Sequence, residues 1–90
     1  MHMEIEWDPA KAASNLKKHG VAFEEAATAL LDPNGLAQPD DSGATEERWV
    51  LVGMSTQARL LTLVYTVRGQ DRIRLISARS ATRKEAKFYA

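Results

Sequence analysis

The sequence contains no cysteine, only two histidines, and few glycines or prolines, five and three in 90 residues. Without thiols there is no disulfide, no thiolate nucleophile and no cysteine-based zinc site, so a reducing compartment is permitted and a cytoplasmic location is the expectation. Two histidines offer no metal-ligand spacing, and neither a metal nor a cofactor is expected. The glycines are scattered through turns rather than gathered into a phosphate-cradling loop. No apolar run approaches the roughly 18 residues of a membrane span, and no secretory signal is visible. Ser77 and His19 could be imagined in a Ser-His-Asp site, but nothing in the sequence positions them. Met1-His2-Met3 reads as a vector-derived remnant ahead of a native start at Met3, and residues 4–90 as one domain with a modest core, 44% of the chain being hydrophobic.

Charge is present, but divided. Residues 1–58 hold ten acids and four bases, a net of −6, whereas residues 59–90 hold eight bases and two acids, a net of +6. Seven of those eight bases lie between Arg68 and Lys87. A basic stretch of this kind suits a polyanion; the alternative is mutual neutralisation of the two parts across the fold.

The basic part is organised by a β-hairpin. Leu60 to Val67 is rich in β-branched and large apolar residues, Arg68-Gly69-Gln70-Asp71 supplies a reversal, and Arg72 to Arg79 resumes as a second strand. A two-residue loop at Gly69-Gln70 sets Tyr65 opposite Arg74 and Arg59 opposite Ser80. A bulge would exchange these partners, so the cluster of Tyr65, Arg68, Arg74 and Arg79 is the expectation rather than any one pair.

Upstream, Glu4 to Trp7 reads as a short edge strand or an extended lead-in. Asp8-Pro9 opens a helix to about His19, with Ala12, Ala13 and Leu16 as a thin apolar stripe and Gly20 as its left-handed stop. Lys17-Lys18-His19 complements the dipole of its last turn. A second helix spans Val21 to Asp32, with Phe23, Ala26, Ala27, Leu30 and Leu31 inward, Glu24-Glu25 in the first turn and the poor capper Ala22 at its start. After the break at Asp32-Pro33-Asn34-Gly35, Leu36 to Pro39 adds a short strand and Asp40 to Thr45 a polar loop. Glu46 to Ser55 forms the next strand, Trp49, Leu51 and Gly53 on one side and Val50, Val52 and Met54 on the other. Thr82 to Glu85 fits a capping box that starts a short C-terminal helix. The fold class is therefore α+β: two N-terminal helices on a small, mainly antiparallel sheet of three to four strands, with a third helix at the end.

Arginine, tyrosine and hydroxyls on a sheet suit phosphate chemistry. Guanidiniums donate in pairs to a phosphodiester and stabilise charge on a pentacoordinate transition state, while a tyrosine can stack on a base or move a proton. Each residue also has a structural reading: Tyr65 packing in the sheet, Arg74 pairing with Glu46 or Glu47, and Arg79 serving the acidic half. The other candidates for RNA contact are Arg59, Arg72, Arg83, Lys84 and Lys18.

The motifs together resemble the BrnT family of bacterial type II toxins. The resemblance rests on Trp7-Asp8-Pro9, on the run from Asn15 through Lys18-His19-Gly20-Val21 to Phe23-Glu24-Glu25-Ala26, on Glu47-Arg48, on Val64-Tyr65-Thr66 with Arg68, and on Ile73-Arg74-Leu75-Ile76-Ser77-Ala78-Arg79. It implies a RelE-like α+β fold, endoribonuclease activity that inhibits translation, and assembly with a cognate BrnA antitoxin carrying a ribbon-helix-helix DNA-binding part. Two positions depart from the family pattern: Ala22 stands where a capping Ser is frequent, and Val67 where an acidic residue often precedes Arg68. The reading is of a metal-independent ribonuclease with Tyr65, Arg68, Arg74 and Arg79 at its site; the alternative is a non-catalytic RNA- or protein-binding module using the same sheet.

Overall fold

Five strands and three helices follow one another as β1 (Glu4–Glu6), α1 (Pro9–His19), α2 (Phe23–Leu30), β2 (Leu36–Pro39), β3 (Trp49–Met54), β4 (Leu60–Arg68), β5 (Arg72–Ser80) and α3 (Arg83–Tyr89). The computed structural model describes residues 3–40 and 47–89, so His2, the polar loop after Asp40 and Glu46 lie outside the described residues. All five strands join one sheet in the order β1-β5-β4-β3-β2. Glu4–Glu6, expected as an edge strand or an extended lead-in, and Leu36–Pro39 are both paired, which raises the count above the three to four expected. The pairing is antiparallel except at one edge, where β1 runs parallel to β5.

The helix boundaries follow local chemistry. Asp8 accepts the Ala10 N–H at 2.9 Å as the N-cap of α1, and Pro9 occupies the first helical position, where no donor is needed. Gly20 ends the helix at φ 71°, donating to the Leu16 carbonyl at 2.9 Å. At α2 the Ala22 side chain makes no cap bond, as its chemistry dictates. The capping box forms at α3: the Thr82 N–H reaches Glu85 at 2.9 Å and the Glu85 N–H reaches the Thr82 hydroxyl at 3.2 Å.

One face of the sheet packs on α1 and α2. Val21, Phe23, Ala26 and Ala29 meet Leu51, Leu61, Leu63, Tyr65, Leu75 and Ala78 in the core, with Trp7 standing edge-on to Phe23 at 5.9 Å. The inward stripe of α1 differs from the expected one. Leu16 is half exposed and Ala13 exposed, and the buried residue is Asn15. Its amide donates to the Val21 and Ala78 carbonyls, both at 2.9 Å, and accepts the Ala78 N–H at 3.1 Å. Apolar periodicity fails here because a hydrogen-bonded side chain, not a hydrophobic one, fixes the helix to the sheet. Similarly α2 stops at Leu30, and Leu31 is 72% exposed.

The other face of β3 carries α3. Tyr89 holds the helix by donating to Asp32 at 2.6 Å, and the same carboxylate accepts the Met54 N–H at 2.7 Å. These bonds, with that of Asn34, hold the Asp32 carboxyl below its ordinary range, the Tyr89 hydroxyl being the first cause.

Candidate functional site

The hairpin turns through three residues, not two. Arg68 pairs with Arg72, Thr66 with Arg74, Tyr65 with Leu75 and Leu61 with Ser80, so neither expected pair, Tyr65–Arg74 nor Arg59–Ser80, forms. A bulge then intervenes: Val64 pairs with Ser77, leaving Ile76 as the extra residue of β5. These shifts place Tyr65 among the core residues Leu61, Leu63 and Leu75, while the positions of Arg68, Arg72, Arg74 and Arg79 fall on the opposite face with Thr62 and Thr66. Burial pushes the pKa of the Tyr65 hydroxyl above its ordinary value.

Four arginines of the basic half are held by carboxylates. Parallel pairing of β1 with β5 puts Glu4 beside Arg72 and Glu6 beside Arg74. Arg74 donates to Glu6 at 2.9 Å, and Arg72 approaches Glu6 at 3.4 Å and Glu4 at 4.0 Å. Among the described residues the partner of Arg74 is thus Glu6 rather than Glu47, and Glu46 lies outside them. Arg79 grips Glu85 with both terminal nitrogens at 2.8 and 2.9 Å, and the Thr62 hydroxyl adds a bond to Glu85 at 2.9 Å. Its partner comes from its own basic segment rather than the acidic half. Arg68 borders a small cavity of about 80 Å³ with Glu47, Thr66 and Val67.

Arg59 stands apart from this face. It donates through Nε to Glu25 at 2.9 Å, through Nη2 to the other oxygen of Glu25, and reaches the Gly20 carbonyl at 3.3 Å. Ser55 donates to Glu25 at 2.7 Å, and the carboxylate, whose side chain is only 4% exposed, is held below its usual pKa first by the Arg59 hydrogen bonds. Glu25 is therefore buried, and Arg59, its side chain 41% exposed, joins α2 to the start of β4. Arg83 and Lys84 are exposed on α3, the latter beside an apolar groove lined by Val50, Val52 and Phe88.

Lys18 belongs to a different assembly. It lines a groove of about 180 Å³ between α1 and β5 together with Lys11, Ser14, Asn15, His19, Ile76 and Ser77. The sequence marks Lys18 but not this convergence, which needs α1 laid along the bulge of β5. It also gives no sign that Thr66, 3% exposed, and Arg48 each bury a polar atom without a partner. Arg48 precedes the Trp49–Tyr65 pair and so stands at the register position opposite Thr66. The signal for Asn15 was available, since asparagine is a weak helix former in mid-helix unless its amide is used elsewhere.

Fold and site define a small α+β protein presenting arginines and threonines from the sheet face opposite its N-terminal helices. The family model described as "Ribonuclease toxin, BrnT, of type II toxin-antitoxin system" matches residues 7–85, and the chain belongs to that family. The structure is similar to the crystal structure of the Brucella abortus ribonuclease toxin BrnT, with a TM-score of 0.71 over 90% of this chain and 99% of that one, at 24% sequence identity. At that identity the likeness is one of fold. No curated protein sequence matches the chain.

Proposed function

We propose that this ribonuclease toxin cleaves RNA internally without a metal ion, using the arginine face of β4 and β5. The observation that carries the reading is the row Thr66, Arg74, Glu6 across three adjacent strands, flanked by Arg68 and Arg72 in the next register position. A phosphodiester laid on this row meets guanidiniums already oriented by Glu4 and Glu6, and their remaining N–H groups stabilise the equatorial oxygens as charge develops. The substrate 2′-oxygen bonds to phosphorus, the bond to the 5′-oxygen breaks, and a 2′,3′-cyclic phosphate remains. The 2′ proton passes to Glu6, the carboxylate on Arg74, and the leaving oxygen is protonated from water. Arg79 contributes once its grip on Glu85 is exchanged for a phosphate. Tyr65 supports the strand beneath this face.

The test is cleavage of single-stranded RNA in EDTA by the parent, Arg68→Ala, Arg74→Ala and Glu6→Gln, with folding followed by circular dichroism. The reading expects cyclic-phosphate products from the parent and a loss of at least about 100-fold for folded Arg74→Ala, the size of a general acid–base or charge-stabilising contribution. A parent that retards RNA without cutting it makes the chain a binding module.

The partner implied by a type II system is a protein antitoxin, and we propose one of the BrnA type with a ribbon-helix-helix part, assembled with the toxin as a hetero-oligomer. Acidic or apolar side chains laid over Arg74 and Arg79 would block RNA and stabilise the toxin by mass action. Arg74→Glu and Arg79→Glu should weaken that complex. Equal affinity for both variants moves the contact to α1 and α2.

A further inference from the structure

The groove between α1 and β5 differs from the arginine face in one respect: among the described residues its lysines lack carboxylates. Among the described residues Lys11, Lys18 and His19 enter no ion pair, whereas on the arginine face Arg72 has two and Arg74 and Arg79 one each. Two lysines without an ion pair thus converge with His19 on one concavity, and Ser14 and Ser77 add hydroxyls to its wall. The floor is fixed on both sides. Asn15 ties α1 to the backbone of Ala78 and Val21, and the bulge at Ile76 re-aims the strand where it meets the helix.

Size narrows the ligand. A volume of about 180 Å³ lies below the roughly 300–1,000 Å³ of sites that enclose a whole small molecule, so a free nucleotide would be left largely uncovered. An extended backbone needs only its phosphate and sugar edge seated, with the remainder of the chain running on through solvent. Lysines suit that contact: a compact ammonium on a flexible stem follows a phosphate as a point charge, whereas the paired arginines of the sheet are held in fixed orientations.

We infer that this groove is a second, non-catalytic track for the phosphodiester backbone of single-stranded RNA, seating the strand to one side of the cleavage face. The inference rests on the ribonuclease reading for its choice of RNA, but not on the identity of the residues that cleave it.

The probe is a fully 2′-O-methylated single-stranded RNA of mixed sequence, which has no free 2′-hydroxyl to attack. Its affinity is measured over a salt series for the parent, for Lys11→Ala/Lys18→Ala, and for Lys17→Ala, a neighbour on the same helix that does not line the groove. Losing two phosphate contacts should lower the slope of log affinity against log salt by about 1.4, so that the parent loses about sevenfold more affinity than the double variant between roughly 50 and 200 mM. Lys17→Ala should follow the parent. Equal slopes for parent and double variant overturn the track, as does a double variant that keeps RNA affinity while losing an acidic peptide. A parent that binds through the groove yet cleaves nothing removes the ribonuclease reading and leaves the track standing.

Discussion

Arg79 sets its two terminal nitrogens against the two oxygens of Glu85, at 2.8 and 2.9 Å, so that a strand of the basic half grips the first turn of the C-terminal helix. The same carboxylate caps that helix and accepts from Thr62, which gives one side chain the task of docking α3. Its pKa is held down to about 2 chiefly by Arg79, with burial opposing and Thr82, then Thr62, adding to the effect. A depressed carboxylate stabilises the fold above its unfolded value of 4.5 and loses that contribution as the pH falls toward 2. A shift of this size corresponds to about 3 kcal/mol unscreened, and solvent exposure at the site reduces it to about 1 kcal/mol. Glu25 and Asp32 are depressed too and weaken any variant in acid, so urea unfolding from about pH 5 to about pH 2 should cost the parent about 1 kcal/mol more than Glu85→Gln.

Asn15 makes a second prediction, on stability alone. Replacing it by alanine leaves two buried carbonyls and one N–H without partners and should cost about 3 kcal/mol in urea unfolding at neutral pH. Asn15→Asp should also destabilise, because a carboxylate cannot donate to the Val21 and Ala78 carbonyls. A cost below about 0.5 kcal/mol would show that water replaces the amide.

The contrast between Asn15 and Leu16 explains how far the sequence could be read. Hairpin, helix starts and stops, and the capping box depend on neighbours in the chain, and each is present with nearly the expected bounds. Register depends on the conformation of Gly69-Gln70-Asp71 and on a bulge at Ile76, neither of which leaves a mark on residue pattern, and a one-residue slip moved Tyr65 from the arginine face to the core. Partners of the arginines were illegible for another reason. Glu6 meets Arg74 across 68 residues of chain, and Glu25 meets Arg59 across 34, distances at which charge counts cannot choose a partner.

Gly53 gives a prediction of close packing. A Cβ there would lie 2.7 Å from the Ala29 carbonyl oxygen, which is backbone and cannot rotate away, and 2.9 Å from a Leu51 methyl. Gly53→Ala should therefore push α2 off β3 and cost about 1–3 kcal/mol by overpacking. An unchanged melting temperature would mean that the helix shifts freely.

Ala22 offers the opposite sign. Its backbone already has the extended conformation of an N-cap, φ −77° and ψ 144°, and lacks only an acceptor. Ala22→Ser should raise stability by about 1 kcal/mol, read as a higher urea midpoint at unchanged slope. No gain would show that the free N–H groups of the first turn are already satisfied by water.

Arg59 separates electrostatics of folding from electrostatics of binding. The sequence groups it with the RNA-contacting bases, yet its guanidinium is spent on Glu25, which lies buried beneath it beside Ser55. Arg59→Gln should therefore lower the urea midpoint, because it leaves a buried carboxylate without its counter-charge, while Glu25→Gln/Arg59→Gln should recover part of that loss by removing the stranded charge. RNA binding should respond differently. The salt slope for the uncleavable RNA should be the same for folded Arg59→Gln as for the parent, whereas Lys11→Ala/Lys18→Ala lowers it. A reduced slope for Arg59→Gln at unchanged stability would return Arg59 to the RNA surface and make its bond to Glu25 incidental.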